Sequence, residues 1–223
     1  MSRKEIHKLI KNGCVRLNGA AVKDPSTPVD TQKDGISVMG KPLVYEEFIY
    51  IMMDKPAGVL SASNDKKRKT VLDLLPDELR RRELFPAGRL DIDTTGFILI
   101  TNDGDFAHHI LSPKNHVKKE YTAKLERDVT KEDAELFARG ITLADGTKLM
   151  PAILKKTGEC EADITICEGK FHQIKKMFAA TGNAVLSLRR TAIGALRLDE
   201  TLGEGNARKI TPDELALIEK GQI

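Results

Sequence analysis

Cysteine is scarce in this 223-residue chain: Cys14, Cys160 and Cys167 are an odd set with no Cys-x-x-Cys spacing. That argues against a disulfide framework and a zinc knuckle, and it fits a reducing compartment. The five histidines form no His-Glu-x-x-His or other ligand spacing, so nothing supports a metal site. No apolar run approaches the roughly 20 residues of a bilayer-spanning helix. The opening Met1-Ser2-Arg3-Lys4-Glu5 lacks the apolar region of a secretion signal. Internal repeats and low-complexity tracts are also missing. Together these absences predict a cytoplasmic protein with no membrane partner. What is present, 40% hydrophobic and 31% charged residues, suits a packed core under an ordinary polar surface. The length allows one large domain, or a small domain plus a medium one.

A net charge of +3 is too small to imply a nucleic-acid partner by itself. Its distribution says more. Arg3, Lys4, Lys8, Lys11, Arg16 and Lys23 face only Glu5 within the first 23 residues. Further basic clusters lie at 66–69, 114–119, 170–176 and 189–190, whereas acids gather from Asp199 to Glu219. Any single lysine run is most simply a solvated surface. Segregation on this scale, however, is what a polyanion-binding face requires.

Ser2 and Glu5 form a capping-box pattern, which predicts a helix to about Asn12 with Gly13 as its left-handed stop. Asn18-Gly19 between Val15–Leu17 and Ala21-Val22 predicts a tight hairpin. A second short pair, Ile36–Val38 and Leu43-Val44, flanks Gly40. Longer apolar strands follow at 48–53, 97–101, 121–125 and 162–167. Capping boxes at Thr130–Asp133 and Thr211–Glu214 open two further helices. Phe171, Ile174 and Phe178 recur at i, i+3 and i+7, predicting a helix over 170–180 with those three on its apolar face. Strands broken by occasional helices make the class α+β, with a mixed, mainly antiparallel sheet flanked by helices. The predicted division is a small α/β domain at 1–46 and a larger domain at 47–223.

Four segments could carry chemistry. Gly88-Arg89-Leu90-Asp91-Ile92-Asp93-Thr94-Thr95-Gly96 is a polar loop feeding a buried strand, where a carboxylate could act as nucleophile or as acid and base. From residue type alone, Asp91 and Asp93 are equal candidates, and each serves as readily as a loop-amide acceptor. Glu168 to Phe178 places Lys170, His172, Lys175 and Lys176 together; this is a basic helix face, and it lacks the glycines of a phosphate-binding loop. Lys119-Glu120-Tyr121 leads into a strand and offers a ring that could stack on a base. Asp54-Lys55-Pro56-Ala57-Gly58 is a turn ending the first long strand.

These four segments, spread over nearly the whole chain, resemble the RsuA-type pseudouridine synthases. Residues 2–46 resemble the S4-type RNA-binding domain that often precedes them. Members usually carry a further basic, leucine-rich helix ahead of the Ser-Arg-Lys segment, so the resemblance implies a domain without its first helix.

The resemblance separates the two aspartates. It makes Asp91 the catalytic nucleophile and leaves Asp93 to shape the loop. It pairs Lys175 with Asp91, lays Tyr121 against the flipped base, and puts Arg89 where the uridine left its stack. Such an enzyme needs no cofactor, because uridine and pseudouridine are isomers. Asp91 must be ionised, which a nearby cation favours, and cleavage of the N-glycosidic bond builds positive character on the sugar. Whether Asp91 attacks the base, attacks the anomeric carbon or removes the C2′ proton stays open. Expected RNA contacts are Arg3, Lys4, Lys8, Lys11 and Arg16 in the small domain, and Lys170, His172 and Gln173 in the large one. The implied partner is ribosomal RNA or a ribosomal assembly intermediate, bound by a monomer. His172 to Phe178 and the unbroken Ala179–Asn183 resemble synthases of small-subunit (16S) rRNA more than those of large-subunit (23S) rRNA. The rival readings are a 23S enzyme of the same family, a non-catalytic RNA-binding or ribosome-assembly protein, and, more remotely, a glycoside hydrolase using both aspartates. Two positions apart in one loop, those carboxylates are poorly placed to flank a sugar.

Overall fold

A computed structural model describes residues 2–31, 33–81 and 83–220. The chain divides into two compact units, residues 1–47 and 48–223.

The small unit opens with α1 (Arg3–Lys11). Its capping box is complete: Ser2 Oγ accepts from the Glu5 amide, and the Glu5 carboxylate accepts from the Ser2 amide at 2.6 Å. Asn12 caps the other end, and Gly13 turns away at φ +67°. Four short strands follow: β1 (Val15–Leu17), β2 (Ala20–Ala21), β3 (Ile36–Val38) and β4 (Lys41–Leu43). They form an antiparallel sheet in the order β2-β1-β3-β4. Two-residue turns at Asn18-Gly19 and Met39-Gly40 close its hairpins, with positive φ at all four residues. This geometry matches the right-handed twist of the strands. Val22 and Val44 lie just outside the strands predicted for them, because each two-residue turn starts the return strand earlier. Ile10 is the only fully buried side chain among this unit's described residues, so its core is thin.

The large unit is built on nine strands: β5 (Tyr50–Lys55), β6 (Phe85–Pro86), β7 (Thr95–Thr101), β8 (Lys119–Leu125), β9 (Ile153–Gly158), β10 (Glu161–Ile166), β11 (Val185–Ile193), β12 (Leu196–Arg197) and β13 (Ala207–Lys209). Its helices are α2 (Gly104–Leu111), α3 (Lys131–Arg139), α4 (Gln173–Ala180) and α5 (Pro212–Lys220). The sheet runs β13-β5-β7-β11-β8-β10-β9, with β12 on β11 and β6 on β7. Every pairing is antiparallel except β7 with β11, where Thr95 and Gly96 lie opposite Arg189 and Arg190. That seam joins two antiparallel halves. At the seam Gly96 sits at φ +97°, and a Cβ there would come within 2.2 Å of the Arg190 carbonyl oxygen. Only glycine allows the two backbones this close.

β5 and β7 are buried on both faces. Ile51, Met53, Ile98 and Ile100 point into one apolar cluster with Phe137 of α3 and Phe178 of α4. Met52, Phe97 and Leu99 point into another with Ala107 and Ile110 of α2 and Ile218 of α5. β8 alternates, burying Tyr121, Ala123 and Leu125 while Thr122 and Lys124 face outward, the pattern of a strand with one wet side. The capping boxes at Thr130 and Thr211 both form.

The helix predicted over 170–180 needs correction. It begins only at Gln173, because His172 at φ +52° stands in the left-handed region as its N-cap. The apolar face is therefore Ile174, Met177 and Phe178, and Phe171 lies outside it, 72% exposed. The first long strand likewise starts at Tyr50, leaving Phe48 exposed.

Candidate active site

The loop bearing Asp91 is held from below by the turn that ends β5. The side chain of Lys55 is wholly buried, and its ammonium donates to the carbonyls of Pro56 at 3.0 Å, Thr94 at 2.9 Å and, more weakly, Ile92 at 3.4 Å. The Gly58 amide donates to the Ile92 carbonyl as well, at 2.7 Å. Ser61 Oγ accepts from the Leu90 amide and donates to the Leu90 carbonyl, both at 3.0 Å. Leu90 anchors the loop in the core, and the Thr94 amide closes a turn on the Asp91 carbonyl. The residues on both sides of Asp91 are thus fixed by hydrogen bonds or burial. Such support is what keeps a reacting group within tenths of an ångström of its place. Burial pushes the Lys55 ammonium down to about 8, with Asp93 and Asp91 opposing the fall.

Asp91 opens into a cleft bordered by Arg89, Tyr121, Lys170, His172, Lys175 and Leu188, among others. Lys175 Nζ lies 3.4 Å from Asp91 Oδ2 and His172 Nε2 lies 3.5 Å from Oδ1. Lys175 is held more tightly by Asp93, at 2.6 and 2.9 Å to its two oxygens. That hydrogen bond, opposed by partial burial, holds the Asp93 carboxyl below its usual range. Asp93 therefore does more than shape the loop: it fixes the ammonium that stands beside Asp91. Tyr121, which also borders the cleft, is buried, with its hydroxyl 3.5 Å from Arg190 Nη1. Arg190 is itself buried and donates from Nε to the Phe97 carbonyl at 2.6 Å. Arg89 is exposed at the cleft border.

Gln173 is buried and borders the cleft, but both ends of its amide are engaged. Oε1 accepts from the Lys170 amide and Nε2 donates to Glu168, each at 2.9 Å. It braces the turn before α4 while bordering the cleft. Lys170 also lies 3.4 Å from Glu168. Arg3, Lys4, Lys8 and Lys11 on α1 and Arg16 on β1 are all exposed in the small unit. Among the described residues no cluster of three or more His, Cys, Asp or Glu could hold a metal ion, and no helix is long and apolar enough to cross a membrane.

A carboxylate flanked by an ammonium and an imidazole, sharing a cation-rimmed cleft with a tyrosine, fits chemistry on an extruded base. The family model for RNA pseudouridylate synthases matches residues 49–180. The chain belongs to that family. The enzyme's small unit matches the S4 domain model over residues 2–34. Over its whole length the enzyme is 44% identical to an uncharacterized RNA pseudouridine synthase of Bacillus subtilis, covering 99% of this chain and 94% of the relative. It is 38% identical to ribosomal small subunit pseudouridine synthase A of Escherichia coli, covering 98% and 94%. A crystal structure of a pseudouridylate synthase superposes with a TM-score of 0.73 at 36% identity, covering 98% of this chain and 94% of that one.

Two parts of this site were not foreseen from the sequence. The sequence places Lys55 in a turn, and the one sign of its burial there is a lysine ending an apolar strand. His172 was expected on a helix face, whereas its left-handed backbone aims it at Asp91.

Proposed function

We propose that this pseudouridine synthase acts on one uridine of small-subunit ribosomal RNA, with Asp91 as the reacting carboxylate. The observation that carries the target is the full-length similarity to enzymes named for the small ribosomal subunit, which extends through the S4 domain and the catalytic unit alike. In this reading Arg3, Lys4, Lys8, Lys11 and Arg16 bind the RNA backbone, supplying affinity without choosing the base. The uridine leaves its stack and enters the cleft, while Arg89 at the border occupies the space it vacated. Tyr121 packs on the uracil ring, and Arg190 steadies the tyrosine from behind. Lys175 and His172, beside Asp91, complement the charge that develops when the C1′–N1 bond breaks. The uracil turns, C1′ bonds to C5, and the C5 proton leaves while N1 gains one. No atom is added or lost. Lys170 contributes charge at the border for nearby phosphates. The reading includes a cytoplasmic monomer acting on free rRNA or an assembly intermediate.

The test is a map of pseudouridines in both rRNAs from cells with and without the gene. Loss of one site in the small-subunit rRNA is expected. Loss confined to large-subunit rRNA overturns the assigned target, and unchanged maps overturn an rRNA substrate altogether.

A further inference from the structure

Among the described residues, the most exposed phenylalanine or tyrosine ring, that of Phe171, is carried between two residues that border the cleft, Lys170 and His172. Phe171 is 72% exposed, in an exposed turn that runs from Gly169 to the buried Gln173. Its ring lies on that of His172, with centroids 3.8 Å apart and planes inclined by 22°. Neighbouring side chains in a helix or strand point in different directions and do not stack in this way. The left-handed φ of +52° at His172 is what swings the two rings together. A histidine in that region is strained. It is retained because Gln173 braces the turn and the Lys176 amide donates to the His172 carbonyl at 2.9 Å. The inner ring of the pair lies 3.5 Å from Asp91, so the stack leads from solvent to the reacting carboxylate. One cation stands over the outer ring: Lys176 Nζ is 5.4 Å from its centre.

Extruding one uridine strips its neighbours of a stacking partner. A flat exposed ring, one stacked ring away from the reacting carboxylate and with a lysine over it, is the complement of such a neighbour: an unpaired base with its phosphate. We propose that Phe171, backed by His172, is the stacking platform for the nucleotide next to the target uridine. It helps set which sequence context the enzyme accepts. The inference rests on the function proposed above and adds to it a recognition element outside the reacting centre.

The test uses the full-length enzyme and an unmodified transcript of the small-subunit rRNA region that carries the mapped site, with tritium release from C5-labelled uridine as readout. Phe171→Ala should lower kcat/KM by about tenfold or more, with KM carrying more of the change than kcat. Phe171→Tyr should keep most of the wild-type value, and Phe171→Leu should not. An abasic nucleotide on one side of the target should weaken the unaltered enzyme comparably. On that substrate Phe171→Ala should cost little more. An Ala variant equal to wild type, full rescue by Leu, or additive losses at both flanking positions would each overturn the platform. Wild type active on the transcript alongside any of these leaves the proposed function standing. A wild type that forms no pseudouridine either in the transcript or in a small-subunit assembly intermediate containing it refutes that function and this inference with it.

Discussion

Lys55 offers a quantitative check on how the catalytic loop is held. Replacing it with methionine keeps the stem's packing and removes the ammonium that donates to three loop carbonyls. Two effects oppose each other. The fall of the ammonium from its ordinary 10.5 to about 8 means that burying its charge costs about 3 kcal/mol at neutral pH, at roughly 1.4 kcal/mol per pH unit. Against this, each hydrogen bond from a charged donor contributes roughly 1.5–3 kcal/mol, and an abandoned buried carbonyl costs about 1–3 kcal/mol. With three carbonyls left facing a thioether, the losses win, and Lys55→Met should destabilise by about 2–4 kcal/mol at pH 7.5. The sign of the pH dependence follows from linkage. The folded-state value lies below the unfolded one, so between about 8 and 10.5 the unfolded chain holds more protons, and rising pH favours the native wild type. The methionine variant lacks this gain, so the stability gap should widen by about 2 kcal/mol between pH 7.5 and pH 10. Chemical denaturation followed by circular dichroism at the two pH values measures it. A gap that stays constant or narrows with pH would refute the picture of a buried, desolvated ammonium under the loop. Pseudouridine formation should also fall, because Ile92 and Thr94 flank the turn that presents Asp91.

Other residues give sharper yes-or-no outcomes. Gly96→Ala forces a side chain to within 2.2 Å of the Arg190 carbonyl oxygen at a φ that L residues avoid, so melting should show a loss of about 3 kcal/mol or more. Wild-type stability in that variant would mean that the parallel seam is looser than described. Asp93→Asn removes the tightest partner of Lys175 and should lower kcat by about 3–10-fold without abolishing turnover, since the ammonium still reaches Asp91. The Asp93 carboxyl is held below its ordinary 3.8, so its ion pair is fully present above that value and is lost only as pH falls through the lower folded value. Wild type and Asp93→Asn should therefore show parallel activity profiles from pH 5 to pH 8, and divergence within that range would contradict the assignment.

Local signals in this sequence were legible because their physics is local. The capping boxes at Ser2, Thr130 and Thr211, and the Asn18-Gly19 turn, each depend on atoms a few residues apart, and each formed. β11 escaped notice for the opposite reason. Two adjacent arginines disguise a central strand, and what reconciles them with burial lies far off: Arg189 pairs with both oxygens of Asp54, 135 positions away, and Arg190 with the Phe97 carbonyl. Lys55 is similar, since the carbonyls that make its burial tolerable come mostly from a loop 37–39 positions downstream. Phe171 misled because its spacing to Ile174 and Phe178 fits a helix, yet one left-handed residue breaks the register after it. Composition and spacing could not rank Asp91 above Asp93. Family resemblance ranked them, and the geometry then added that Asp93 fixes the ammonium standing next to Asp91.

The most direct test of this account sets those two carboxylates against each other. Purified wild type, Asp91→Asn and Asp93→Asn are assayed for pseudouridine in an unmodified small-subunit rRNA transcript, alongside a binding measurement on the same RNA. The account predicts that Asp91→Asn lowers turnover by at least about a thousandfold while still binding RNA, and that Asp93→Asn remains active. Full activity in Asp91→Asn, or a silent Asp93→Asn beside an active Asp91→Asn, would contradict it.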